Sequence, residues 1–210
     1  MTNWPRVFEL FGQHIWLAVT PTLLGLLLAI PLGWLAQHYR WLYPAMIGGT
    51  GLLYTIPSLA LFIALPAVLG TGILDPLNVI VALTLYTLAL LVRTVADGLA
   101  AVPLDVRQAA TAMGFRPLRR FFTVELPVAV PSIAAGLRVA SVSNVAMVTI
   151  AATIGVQQLG MLFTDGFGSG DLAPVGIGLV ACLLLALALD GLIVGAGRVL
   201  TPWQRAVRAR

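Results

Sequence analysis

Apolar runs long enough to cross a bilayer alternate with short polar breaks along the chain. Ile15 to Ala36 carries no charge. At 1.5 Å per residue it reaches about 33 Å, enough for a hydrocarbon core of about 30 Å. Similar runs cover about 43–69, 77–94, 131–155 and 174–194. The pattern predicts an all-α integral membrane protein with about five transmembrane helices in one domain spanning 1–210. Pro57 and Pro66 predict a bent or interrupted second helix. Gly48, Gly49 and Gly51 in the same run predict close helix packing. The third run is short, but Arg93 at its end can snorkel toward water. Residues 1–13 read as an interfacial lead-in, without the charged start, apolar core and small-residue site of a cleavable signal peptide.

One polar stretch stands apart. Residues 103–127, PLDVRQAATAMGFRPLRRFFTVELP, hold Asp105, Arg107, Arg116, Arg119, Arg120 and Glu125 between two apolar runs. Pro103 suits the first turn of a helix, where its missing N–H costs nothing. Val106, Ala109, Ala110 and Met113 recur at helical spacing on one face. Gly114 is placed to end that helix in a left-handed conformation. Pro117 can start a second short helix, with Leu118, Phe121 and Phe122 opposite Arg119 and Arg120. Leu126-Pro127 then leads back to apolar sequence. The stretch is predicted to be a helix–turn–helix bracket between two spans.

Composition agrees with the membrane assignment. The chain is 60% hydrophobic and 10% charged, where soluble domains carry about 25% charged residues. The net charge of +4 comes from arginine alone, since the sequence contains no lysine. The arginines cluster at span ends rather than along one surface, which argues against nucleic acid as a partner and for membrane lipid. Arg40, the bracket's four arginines and Arg205, Arg208 and Arg210 would share one side; the other receives Arg6 with Glu9, Asp75, Asp165 and Asp171. Basic loops stay in the cytoplasm. The bracket and the C-terminus are therefore expected inside and the N-terminus outside. His14 and His38 flank the first span and are expected at the interfaces; no metal role is assigned to them, because zinc sites take clustered N or S ligands. Cys182 lies in an apolar run and is read as packing.

The fourth span is the most polar. Ser141, Asn144, Thr149 and Thr153 are interleaved with alanine and valine. They serve either interhelical hydrogen bonds or a wet face lining a solute path. Arg138 lies early in that span and Asp190 late in the fifth, so both map near one boundary. They are expected either to pair or to reach water separately, with Arg93 as a competing partner.

The bracket resembles the cytoplasmic loop of permease subunits of ATP-binding-cassette importers, which reads Glu-Ala-Ala, three residues, Gly, nine residues, Ile-x-Leu-Pro. Here Gln108-Ala109-Ala110, Gly114 and Val124-Glu125-Leu126-Pro127 keep every interval. Gln108 replaces the glutamate and Val124 the isoleucine, so any salt bridge made from the first position is lost. Beyond the bracket, Thr55-Ile56-Pro57-Ser58-Leu59-Ala60, Ala135-Gly136-Leu137-Arg138, Ala151-Ala152-Thr153-Ile154-Gly155 and Leu159-Gly160 resemble the permeases of osmoprotectant importers. Those carry glycine betaine, choline, carnitine or proline. Gln157-Gln158 stands where that group often has glycines.

The resemblance implies three kinds of protein partner: cytoplasmic ATP-binding subunits, a second permease subunit (identical or not), and an extracytoplasmic solute-binding protein. It also implies that the bracket is the ATPase-coupling loop, acting through Gln108, Ala109, Ala110, Met113, Gly114, Val124, Leu126 and Pro127. The residues agree that the chain is not itself an enzyme. A phosphate-binding P-loop needs a lysine, and no nucleophile–base pair or cofactor motif is present. A permease for methionine or another amino acid is the nearest alternative. An ion-coupled secondary transporter is the alternative of another class, but such carriers place ionisable residues at mid-membrane.

Overall fold

The computed structural model describes residues 3–39 and 41–203. Arg40, Arg205, Arg208 and Arg210, used above for orientation, lie outside the described residues.

Helix α1 (Trp4–His38) opens on Asn3, whose side chain accepts the Arg6 N–H at 3.4 Å. It runs unbroken through Pro21 and Pro31. The expected interfacial lead-in is therefore part of this helix, because the Asn3 cap and Pro5 start it eleven residues before Ile15. Helices α2 (Leu42–Thr55) and α3 (Ser58–Leu69) share the second apolar run but differ in direction by 103°. Pro57 causes the break. It cannot donate a helical hydrogen bond and it holds Ile56 in extended geometry, ψ 129°. Tyr86 Oη donates to the Ile56 carbonyl that the break exposes. Pro66 sits inside α3 without interrupting it.

Helix α4 (Pro76–Ala100) starts at Asp75, whose carboxylate accepts the Leu77 N–H at 2.9 Å. It continues six residues past the expected end at 94. It is the centre of the bundle, with Leu83, Leu91, Val95 and Leu99 fully buried. Helix α1 lies against it through Gly25 and Gly33. A Cβ on Gly33 would sit 2.6 Å from the Val95 side chain, and one on Gly25 2.4 Å from Thr87. Small residues allow this approach, and close packing rather than water exclusion holds helices together in lipid.

Helix α5 (Leu104–Ala112) is followed by α6 (Pro117–Arg120), a wide π turn (Phe121–Glu125) and α7 (Leu126–Ile150). Pro103 caps α5 from just outside rather than opening its first turn. The expected second short helix does not stop at Leu126-Pro127. It runs directly into the fourth span, so residues 117–154 form one long helical path. Pro127 removes the donor for the Thr123 carbonyl, and the wide turn makes room for its ring.

A 3₁₀ turn (Ala151–Ile154) and helix α8 (Met161–Ser169) lead to α9 (Leu172–Leu200), which Asp171 caps through Ala173 N–H at 2.9 Å. Among the described residues, four helical paths are long and apolar enough to cross a membrane, and the bent α2–α3 pair, taken as one span, makes a fifth. Within this chain the glycines of α2 pack against nothing: a Cβ on Gly48, Gly49 or Gly51 would meet no described atom within 4 Å. His14 is fully buried among its neighbours in the bundle.

Candidate coupling surface and solute groove

The bracket is built as a clamp. Helix α5 ends in a glycine turn with two reciprocal bonds. Gly114 N–H reaches the Thr111 carbonyl at 2.9 Å, and Phe115 N–H reaches Ala110 at 3.1 Å. Gly114 has φ +79°, in the left-handed region that a side chain disfavours. One side chain fixes the clamp to the bundle and another braces it from within. Arg107 donates to the Leu99 carbonyl at the end of α4. Arg120 donates to Thr111 Oγ1 at 2.8 Å and, through Nε, to the buried Glu125 carboxylate at 2.6 Å.

The predicted apolar face of α5 divides. Ala110 is buried and Val106 half-buried against the bundle, while Ala109 and Met113 are exposed. Gln108 is exposed too. Val124, Leu126 and Pro127 lie half-buried in the continuous helix, not on a returning loop. Outside the clamp, Leu104, Met113, Leu118 and Phe122 show water more than half of their surfaces. Arg119 lies over the Phe115 ring at 4.9 Å. Exposed apolar patches with a polar rim mark protein, membrane or ligand contact sites.

The polar residues of α7 do not form one wet face. Asn144 is buried and donates at 2.8 Å to both Thr22 Oγ1 of α1 and Thr87 Oγ1 of α4. Ser141 is buried and bonds back to the Arg138 carbonyl. Thr149 and Thr153 return their hydroxyls to carbonyls of Ala146 and Ile150. Asn144 thus joins three helices, and the threonines sit elsewhere. Arg138 and Asp190 meet in a two-pronged ion pair, at 2.6 and 3.0 Å, linking α7 to α9. Arg93 is not part of it; its Nε faces Asp97 one turn away at 3.6 Å.

Sequence reasoning missed two arrangements. His14 contacts Gln158 Oε1 at 3.2 Å and the Val145 carbonyl at 3.0 Å. That ties α1 to the segment after α7. Glutamines at 157–158 in place of glycine were the available signal. The second is a groove between α2 and α4. One cavity of about 390 Å3 is lined by Thr50, Gly51, Tyr54, Ala89, Leu90 and Arg93. Another of about 460 Å3 is lined by Ala36, Gln37, Tyr43, Ala96 and Ala100. Tyr43 donates to Asp97 at 2.7 Å.

The profile of the family described as binding-protein-dependent transport system inner membrane component matches residues 22–202. The chain belongs to that family. The permease is 37% identical over 193 residues to the osmoprotectant import permease protein OsmW of Salmonella typhimurium, covering 90% of this chain and 89% of that protein. It is 30% identical over 201 residues to the choline transport system permease protein OpuBB of Bacillus subtilis, covering 96% and 91%. Its fold matches an inward-facing structure of the MetNI methionine ABC transporter with a TM-score of 0.81, at 20% identity, over 96% of this chain and 100% of that one. The permease is thus an all-α, multi-pass inner-membrane component of a transport system.

Proposed function

We propose that this permease serves an importer of a compatible solute such as glycine betaine, choline or proline, driven by separate ATP-binding subunits. An extracytoplasmic solute-binding protein delivers the solute, and two permease subunits form the path. The observation that carries the ATPase assignment is the clamped bracket. It exposes Leu104, Met113, Leu118 and Phe122 to water while Arg107 bonds it to α4 and Arg120 braces it internally through Thr111 and Glu125, just ahead of α7. A rigid lever of this kind transmits ATPase closure to the bundle as a rigid-body movement. Gln108, Ala109, Met113 and Gly114 occupy its outer side. Exposed α2, which contributes no fully buried residue among those described, supports a second permease subunit covering that face. The identity to OsmW supports the solute class.

The bracket is cytoplasmic in this reading and the N-terminus outside. Arg6 and Asp165, paired at 2.8 Å, mark the opposite end. Reporter fusions after Asp75, Arg120 and Asp171 should read outside, inside and outside; a cytoplasmic signal at Asp171 overturns the orientation. The function is tested by reconstituting the permease with its ATPase and receptor in liposomes. ATP-dependent uptake of glycine betaine or choline is expected, and uptake of methionine in their place contradicts the solute class.

A further inference from the structure

Among the arginines on the membrane-crossing helices, Arg138 is fully engaged by Asp190. Arg93 is not engaged in that way. Its side chain is 68% exposed, and Asp97 approaches only to 3.6 Å. An arginine near the end of a span that also lines a cavity can bind a solute charge as well as reach water. Arg93 and Tyr54 both line the cavity between α2 and α4. Tyr54 is 47% exposed. Its ring is held edge-to-face against Tyr86, 5.8 Å between centroids. Tyr86 is fixed in turn by its bond to Ile56 at the break between α2 and α3.

We infer that this groove is a solute-contact site that reads a quaternary ammonium carboxylate by both of its charges, Tyr54 facing the ammonium and Arg93 binding the carboxylate. The inference rests on the solute class proposed above and adds a site in the permease itself. The dimensions agree. Seven residues separate Tyr86 from Arg93, about 10 Å along the helix. An ammonium within about 6 Å of an aromatic ring is attracted to its face. In a betaine the carboxylate carbon lies only about 2.5 Å from the nitrogen. A hydrogen bond of about 2.8 Å from Arg93 then completes the distance. The cavity, about 390 Å3, holds a molecule of that size with room for water. Gly51 leaves the α2 wall free of a side chain. Asp97, held by Tyr43 at 2.7 Å, lies on the bracket side of Arg93. It offers the ammonium a partner as the solute moves toward the second cavity.

The test compares glycine betaine with choline, which has the ammonium and no carboxylate. Uptake of both is measured in liposomes holding the permease, ATPase and receptor. Arg93→Gln should lower glycine betaine uptake about tenfold or more and leave choline within about twofold. Arg93→Lys should restore most of the glycine betaine uptake. Tyr54→Leu should lower both, and Tyr54→Phe neither. Equal loss of both solutes in Arg93→Gln would mean that Arg93 only packs the groove or meets lipid or a second subunit, and overturns the site. No loss overturns it as well. If the unaltered permease carries glycine betaine alone, the Lys and Gln variants decide by themselves. If it carries choline alone, there is no carboxylate to read and the inference fails while the importer function stands. If it carries neither, the proposed solute class fails and the inference falls with it.

Discussion

The seam between α7 and α9 and the groove between α2 and α4 each place an arginine and an aspartate among apolar residues, and they use them in opposite ways. At the seam, both carboxylate oxygens meet the Arg138 guanidinium and the charges neutralise each other. In the groove, Asp97 accepts from Tyr43 at 2.7 Å and meets Arg93 only loosely, at 3.6 Å. The glycines follow the same division. Gly25 and Gly33 bring α1 against α4 with no room for a methyl group, whereas Gly48, Gly49 and Gly51 face open space. Charge and small residues therefore do not mark function by their presence in a span. What distinguishes them is whether the surrounding chain uses them up.

The sharpest way to break this comparison is a bulky residue at the two kinds of glycine. Gly33→Leu should abolish accumulation of folded permease, because Val95 and the Val92 carbonyl occupy the space. Gly51→Leu should leave its level near normal and act on transport. Equal losses measured by detergent-extracted, monodisperse protein would erase the distinction. Next comes the ion pair. Arg138→Glu should lower both folded protein and uptake, because it sets two carboxylates against each other where a two-pronged ion pair links α7 to α9. Combining it with Asp190→Arg should recover folded protein and uptake. A double variant no better than the worse single one would show that the pair contributes nothing. The smallest effect is expected at Arg93→Gln, which should shift thermal stability by less than about 1 kcal/mol, since an exposed pair at 3.6 Å contributes little. A large loss of stability there would place Arg93 with Arg138 as a structural charge.

Much of this architecture was legible in the sequence. Five apolar runs and the proline at 57 foretold the helices and the break between α2 and α3, because hydropathy and backbone geometry are local properties. Gly114 was legible for the same reason: a glycine following a helical repeat, ahead of Pro117, calls for a left-handed turn. The continuous path from Pro117 to Ile154 was not, since a proline pair reads as a boundary unless a wide turn absorbs it. Asn144 illustrates a different limit. Its polarity pointed equally to a solute path or to helix packing, and only the positions of Thr22 and Thr87 on other helices decide for packing. The groove was missed because Tyr54 and Arg93 line it from two different helices, α2 and α4, and no local pattern encodes that pairing.

The central claim is that the bracket converts ATPase closure into movement of the bundle. Gly114→Val probes it most directly, since the residue has φ +79° and no described atom near the position of an added side chain. The cost is backbone strain in the turn, on the order of 1–3 kcal/mol, too little to unfold the bundle but enough to re-aim α5. Receptor-stimulated ATP hydrolysis should be measured beside uptake in the reconstituted complex. Normal protein levels, uptake lowered at least tenfold and hydrolysis that no longer responds to loaded receptor are predicted. Unchanged uptake with normally stimulated hydrolysis would contradict the coupling role of the bracket.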